Sequence, residues 1–147
     1  MKLIKKKIEP TDEEAVILEY IEWTKEWEEL CDHIEGRNRH IVGYGTKKEM
    51  YSIKLEDILY FEAVGELVFA YTGSQVYEIK MRLYQVEKIV KQNDILRASK
   101  SFLINVKRID KVRSVLNGRF MATMENGEEV LITRHYARDV ADVIKTA

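Results

Sequence analysis

Residues 97–119, RASKSFLINVKRIDKVRSVLNGR, hold seven basic side chains and one acidic side chain, Asp110. Their net charge is therefore +6 (7 − 1), in a 147-residue chain whose formal net charge is −1. The apolar residues between the charges, among them Phe102, Ile104 and Val112, predict buried β-strands that hold the basic side chains on a rigid frame. Such a cationic face is expected of a protein that binds a polyanion. An ordinary strand edge is the alternative, because exposed lysines also discourage pairing between sheet edges.

The composition, 46% hydrophobic and 33% charged, is typical of a folded protein. No apolar run approaches the ~20 residues that span a bilayer. The first ten residues, MKLIKKKIEP, lack the apolar core of a signal peptide, so we expect a cytoplasmic protein. The single cysteine, Cys31, excludes an internal disulfide. The three histidines fall in three different predicted elements, so neither a metal site nor a cofactor is predicted.

An enzyme is not predicted, and no small-molecule substrate is evident. Ser99 and Lys100 could be read as a nucleophile and its base. Neighbouring side chains on an extended chain point to opposite faces, however, and the surroundings are cationic rather than enclosed. The sequence also lacks the glycine-rich loops that bind phosphates.

The N-terminal part differs in charge from the rest. Residues 1–36 hold five basic and eleven acidic side chains (net −6), and residues 37–147 hold nineteen and fourteen (net +5). We predict an N-terminal β–α extension over residues 1–45, with a lysine-rich strand at 2–9 and a helix from a capping box at 11–14 to about Ile34. One helix face carries Tyr20, Trp23, Trp27 and Leu30. This stripe predicts packing against the core, a dimer interface or a surface for a regulatory partner.

Residues 46–147 are predicted to form a mainly antiparallel β domain, because short strands follow one another between polar or glycine-containing turns. Asn117-Gly118 and Asn126-Gly127 are strong hairpin signals. Helical spacing returns only over 81–92 and after Thr133. A helix-turn-helix is not predicted, because its second helix would have to include the β-rich run 102–106.

Four segments resemble a known family: EDILYFEA (56–63), IKMRLYQVEKIV (79–90), LRASKSFLINVKRIDKV (96–112) and LNGRFMATMENGEEVLITRHYARDV (116–140). Their order and spacing are similar to the LytTR DNA-binding domain of bacterial response regulators. The resemblance implies an elongated fold of antiparallel sheets with small peripheral helices, in which loops enter successive major grooves of double-stranded DNA.

The resemblance also implies three DNA-reading loops. The first is Val64-Gly65-Glu66, where the family often has a basic or histidine side chain. Glu66 departs from that pattern: a carboxylate could accept from cytosine, but phosphate repels it. The second loop is Ser99-Lys100-Ser101, with Lys100 at a base-reading position. The third carries Arg134 and His135, with Arg138 one helical turn later.

Basic residues outside the loops are better candidates for contacts with phosphate than with bases. They are Arg97, Lys107 and Arg108. A salt bridge at the end of a strand is the alternative for Arg97. For Arg134, helix amides beside its guanidinium would also favour phosphate.

The chain resembles the stand-alone LytTR regulators, which have a short N-terminal β–α extension in place of a receiver domain. The resemblance implies a small membrane protein as a possible inhibitor. The leading hypothesis is a cytoplasmic, sequence-specific transcription regulator that binds duplex DNA as a homodimer on paired sites. The alternative function is a protein-interaction module, in which the basic strands bind an acidic partner and DNA binding is incidental.

Overall fold

The computed structural model describes residues 2–36 and 39–146, in which the chain is mainly β. The helices and strands, in chain order, are α1 (Lys25–Ile34), β1 (His40–Tyr44), β2 (Met50–Lys54), β3 (Ile58–Val64), β4 (Leu67–Thr72), β5 (Val76–Ile79), α2 (Leu83–Val90), β6 (Ile95–Arg97), β7 (Phe102–Asn105), β8 (Ile109–Val115), β9 (Arg119–Met124), β10 (Glu129–Ile132) and α3 (Arg134–Thr146). The predicted fold class is confirmed.

The strands form two antiparallel sheets. The large sheet has seven strands in the order β2-β1-β5-β4-β3-β7-β6, and the small sheet has three in the order β10-β9-β8. Asn117 and Gly118 both have positive φ, 66° and 72°, in the turn between β8 and β9. Gly127 has a φ of 88° in the turn between β9 and β10. Strand β9 pairs antiparallel with both β8 and β10, so both predicted hairpins are confirmed, although Asn126 does not adopt a positive φ.

The large sheet has a separate hydrophobic core on each face. Leu103 on β7 packs with Val86 and Val90 of α2 on one face. Its neighbour Ile104 packs with residues of the small sheet and α3, including Val140, on the other. Adjacent residues on a strand enter different cores because their side chains point to opposite faces. Strand β7 is thus fixed from both sides.

The N-terminal segment differs from its prediction. Residues 2–9 form no strand, and the helix expected from residue 11 begins only at Lys25. Every residue from 2 to 26 except Leu18 is exposed. A strand needs a pairing partner, and a short helix needs a buried face to be stable. The predicted stripe lacks that face: Trp27 is partly buried, whereas Tyr20, Trp23 and Leu30 are 54%, 50% and 38% exposed.

The predicted extension is nevertheless connected to the sheets. Strand β1, which falls within residues 1–45, pairs with β2 and, through Tyr44 and Glu78, with β5. The Asn93 amide donates to the carbonyl of Gly36 at 2.5 Å, just after α1. None of the helices in the described part of the chain is long and apolar enough to cross a membrane.

Candidate nucleic-acid interface

Two of the three predicted reading loops meet at the ends of β3 and β7. Glu62 pairs with Phe102 across these strands. The amide of Ala63 then donates to the carbonyl of Ser101 at 2.8 Å. The loop at 64–66 therefore lies beside the loop at 98–101.

The third loop is attached to the second through one carbonyl group. The carbonyl of Ala98 accepts from the amide of Thr133 at 2.9 Å and from its hydroxyl at 3.3 Å. Ala98 is fully buried, so this junction is shielded from water. We call the surface formed by residues 64–66, 98–101 and 133–135 the loop surface. It brings together side chains that are up to about 70 positions apart in the sequence.

The basic side chains of the loop surface are available for a ligand. Lys100, Arg134 and His135 are exposed, as is Arg138 on the first turns of α3. Among residues 2–36 and 39–146, no acidic side chain forms an ion pair with Lys100, Arg134 or Arg138. The ring of His135 contacts Tyr136 edge-on, with centroids 4.7 Å apart. Ser99 and Ser101 flank Lys100, and the Ser99 hydroxyl accepts from the amide of Ser101 at 3.3 Å.

A glycine that the sequence indicated only as a turn residue lies against Arg134. A Cβ atom added to Gly118 would lie 3.2 Å from Cγ and 3.3 Å from Cδ of Arg134. The aliphatic part of the arginine therefore rests on the turn between β8 and β9. This close approach joins residues on separate elements, and the Asn-Gly signal alone gave no indication of it.

The side chain of Arg97 is held by hydrogen bonds within the protein and is mostly shielded from solvent. Its guanidinium Nε and Nη2 donate to Glu87 on α2 at 3.1 and 3.3 Å. Its Nη1 donates to the carbonyl of Lys100 at 2.9 Å. The side chain is only 14% exposed. The alternative stated for Arg97, a salt bridge at a strand end, is therefore the one observed.

Lys107 and Arg108 lie at the other end of β7, roughly 16 Å from the loop surface at the usual rise per residue. The ammonium of Lys107 is 3.6 Å from the carboxylate of Asp94. The Arg108 guanidinium donates to the carbonyl of Glu56 at 2.7 Å and lies 3.4 Å from the Glu125 carboxylate. Lys100 on the one hand, and Lys107 and Arg108 on the other, thus lie at opposite ends of β7.

Glu66, the acid in the first loop, has a basic neighbour. The Arg82 guanidinium lies 3.9 Å from the Glu66 carboxylate, and both side chains are largely exposed. A surface ion pair of this kind contributes less than about 1 kcal/mol. Arg82 nevertheless places a positive charge beside the position where the family often has a basic residue. Arg82 was missed because it lies in another segment, before α2.

Aromatic residues form a cluster on strands β3, β4 and β7 of the large sheet. Tyr60 and Tyr71 stack with their ring centroids 4.5 Å apart, and Phe102 lies 5.9 Å from Tyr60. The Tyr71 hydroxyl donates to Glu62 at 2.8 Å. Burial, assisted by this hydrogen bond and the carboxylate charge, raises the pKa of Tyr71 to about 12. Burial also raises the pKa of Tyr60.

Comparison with known proteins shows the family of the chain. The family model of the LytTr DNA-binding domain matches residues 48–145. The chain belongs to the LytTR DNA-binding domain family. The LytTR resemblance read from the sequence is therefore confirmed, and this is a family of DNA-binding regulator domains rather than of enzymes.

A solved LytTR domain has the same fold. It is the LytTr DNA-binding domain of a protein from Bacillus cereus described as a methyl-accepting/DNA response regulator. It matches with a TM-score of 0.67 and 20% sequence identity, covering 72% of this chain and 96% of that one.

Proteins of Staphylococcus aureus are similar in sequence. One from strain N315 is 28% identical over 122 residues, which is 77% of this chain and 82% of the relative. One from strain MRSA252 is 27% identical over the same length. Both are named uncharacterized HTH-type transcriptional regulators. In the described part of this LytTR chain, α2 is followed by β6 and β7, so no helix-turn-helix forms there.

Proposed function

We propose that this LytTR protein is a sequence-specific transcription regulator whose loop surface enters successive major grooves of duplex DNA. The observation that carries the proposal is the position of Lys100 and Arg134. They are unpaired within the described residues, and the junction at Ala98 holds their loops together. Family membership and the regulator names of the relatives support the same function.

The roles of individual residues follow from their surroundings. Lys100 and Arg134 are the proposed base readers, because a side chain that stays unpaired can form bonds with a base edge. Ser99, Ser101 and His135 are proposed to contact the same stretch of DNA, and Arg138 to bind phosphate. Glu66 is proposed to face the duplex with Arg82 offsetting its charge.

Lys107 and Arg108 are proposed to contact DNA only when the duplex is longer than the loop surface. Both lie away from the loop surface and already have acidic neighbours. We propose that they contact phosphates only where the duplex extends past the loops. Such contacts add affinity without sequence preference.

Selection of bound DNA from random duplexes tests the proposal. The purified chain is expected to enrich one motif, and binding to that motif should weaken as salt increases. Arg134→Ala and Lys100→Ala should each relax preference at one or two base pairs. Equal binding to every duplex would contradict the proposal, and favour the alternative of a protein-interaction module.

We further propose that the protein acts as a cytoplasmic homodimer on paired sites, with the N-terminal residues 1–45 as the contact. Exposed apolar side chains support this proposal, including Tyr20, Trp23 and Ile21, the last of which is 102% exposed. Such residues favour association. A small membrane-protein inhibitor is the other partner that could cover them. Sedimentation of the purified chain distinguishes a homodimer from binding of an inhibitor, because a homodimer forms without any added protein.

A further inference from the structure

A connected set of contacts runs from α2 to the second loop. Val86 and Val90 of α2 are fully buried in the core, which fixes the helix against the large sheet. Between them, Glu87 accepts two hydrogen bonds from Arg97. Arg97 in turn donates to the carbonyl of Lys100. The helix and the loop are therefore joined by a single guanidinium group.

The geometry of this guanidinium restricts the loop. A planar guanidinium with two bonds to one carboxylate has little rotational freedom, so its third bond has a fixed direction. The other end of the loop is fixed too, because the amides of Ala98 and Ser99 donate to the carbonyl of Phe102 at 2.9 and 3.4 Å. The Lys100 carbonyl is the point at which the loop tip is held.

We propose that Glu87 and Arg97 form a positioning pair that orients Lys100 for sequence reading, and that Arg97 is not a phosphate contact. This inference rests on the proposed function, since it takes Lys100 as a base reader. The charges agree with it: Glu87 neutralises Arg97, and the pair adds no net charge to the loop surface. A phosphate would have to compete with Glu87 for a side chain that is mostly buried.

Two substitutions separate positioning from phosphate binding. Glu87→Gln weakens the hold on Arg97, and Arg97→Lys keeps the charge but loses the planar group that bonds to Glu87 and Lys100 together. Each is expected to lower the ratio of affinities for the selected motif and a random duplex by about tenfold, the size of one lost base contact. The dependence of affinity on salt should stay the same for Arg97→Lys.

Glu129→Gln is the matched control. It removes the same charge from an acid that lies 3.7 Å from Arg113, away from the loop surface. Its affinity ratio is expected to equal that of the wild type. If Arg97 instead binds phosphate, Glu87→Gln frees it and tightens binding to all duplexes while the ratio stays constant. That result would overturn the proposal.

Amide hydrogen exchange without DNA tests the positioning directly. Glu87→Gln should speed exchange at Ser99 and Ser101 and leave Ile104, in the core strand β7, unchanged. Unchanged loop exchange overturns the proposal, as does faster exchange with an unaltered affinity ratio. If the wild type selects no motif, the proposed function fails by itself. Loop exchange then still decides whether the pair holds the loop.

Discussion

Gly118 provides a sharp test of how Arg134 is held. Alanine at this position meets two costs, since φ is +72° and the new Cβ would approach Cγ and Cδ of Arg134 to 3.2 and 3.3 Å. The backbone cost of a non-glycine residue in this region is roughly 1–2 kcal/mol. The contact cost is smaller because the arginine side chain can shift by a few tenths of an ångström. We therefore expect Gly118→Ala to reduce stability by roughly 1–2 kcal/mol.

The shift of Arg134 should appear in DNA binding. A bidentate arginine contact with guanine contributes about 1–3 kcal/mol of discrimination, and a displaced guanidinium loses part of it. We expect Gly118→Ala to weaken binding to the selected motif by about 1 kcal/mol, or roughly fivefold. Binding to a random duplex should not change. Urea unfolding and titration of labelled duplexes measure the two effects.

Gly127→Ala is the control for the backbone cost. Gly127 has a φ of +88° in the other hairpin of the small sheet, and a Cβ there would meet nothing within 4 Å. The Gly127→Ala variant should lose about as much stability as Gly118→Ala and keep the wild-type preference for the motif. Equal losses of motif binding in the two variants, or no loss in either, would refute the claim that the turn orients Arg134.

Three further predictions concern other groups. Arg134→Ala should relax specificity at one base pair, whereas Lys107→Ala should weaken all long duplexes alike; a competition assay with mutated motifs distinguishes them. Protonated Tyr71 stabilises the fold fully below pH about 10, and this contribution is lost as pH rises toward its folded pKa of about 12. Tyr71→Phe should therefore lose less stability than the wild type between pH 9 and 11, as measured by urea unfolding. Replacing Trp23 and Trp27 with alanine should leave the sheets folded and reduce dimerisation in sedimentation; an unchanged dimer would contradict the proposed contact.

The sequence predicted those elements whose signals are local. Asn117-Gly118 indicated its hairpin because the dipeptide itself adopts the positive φ angles of the turn. The loop around Lys100 was located by its similarity to the family. The predicted N-terminal helix was too long, because the spacing of apolar residues indicates a helix face without showing whether another part of the protein covers that face. Residues 11–24 have the spacing but no surface to pack against, and they form no helix.

Contacts between distant segments were not predictable in the same way. Nothing in the sequence pairs Arg97 with Glu87 rather than with any other of the 25 acidic residues. The pairing depends on where α2 packs against the sheet. The contacts of Arg134 with Gly118 and of Arg82 with Glu66 likewise depend on how distant segments pack together. The identities of the proposed base readers were accessible from the sequence, whereas the residues that position them became visible only in the fold.

Contacts with distant residues also lower the effective net charge of the stretch 97–119. Four of its seven basic residues have acidic partners from outside the stretch: Arg97, Lys107, Arg108 and Arg113 pair with Glu87, Asp94, Glu125 and Glu129. The net charge of +6 thus falls to +2 (6 − 4).

This pairing limits how strongly salt can affect DNA binding. Lys100, Lys111 and Arg119, together with Arg134 and Arg138 on α3, form no ion pair within the described residues. If each of these five side chains neutralises one phosphate and releases about 0.9 counterion, together they contribute about −4.5 per protomer to the slope of log K against log salt. A steeper slope on a short duplex would mean that further basic side chains reach the DNA, either lysines elsewhere on the surface or Arg97 and Lys107 after exchanging a carboxylate for a phosphate.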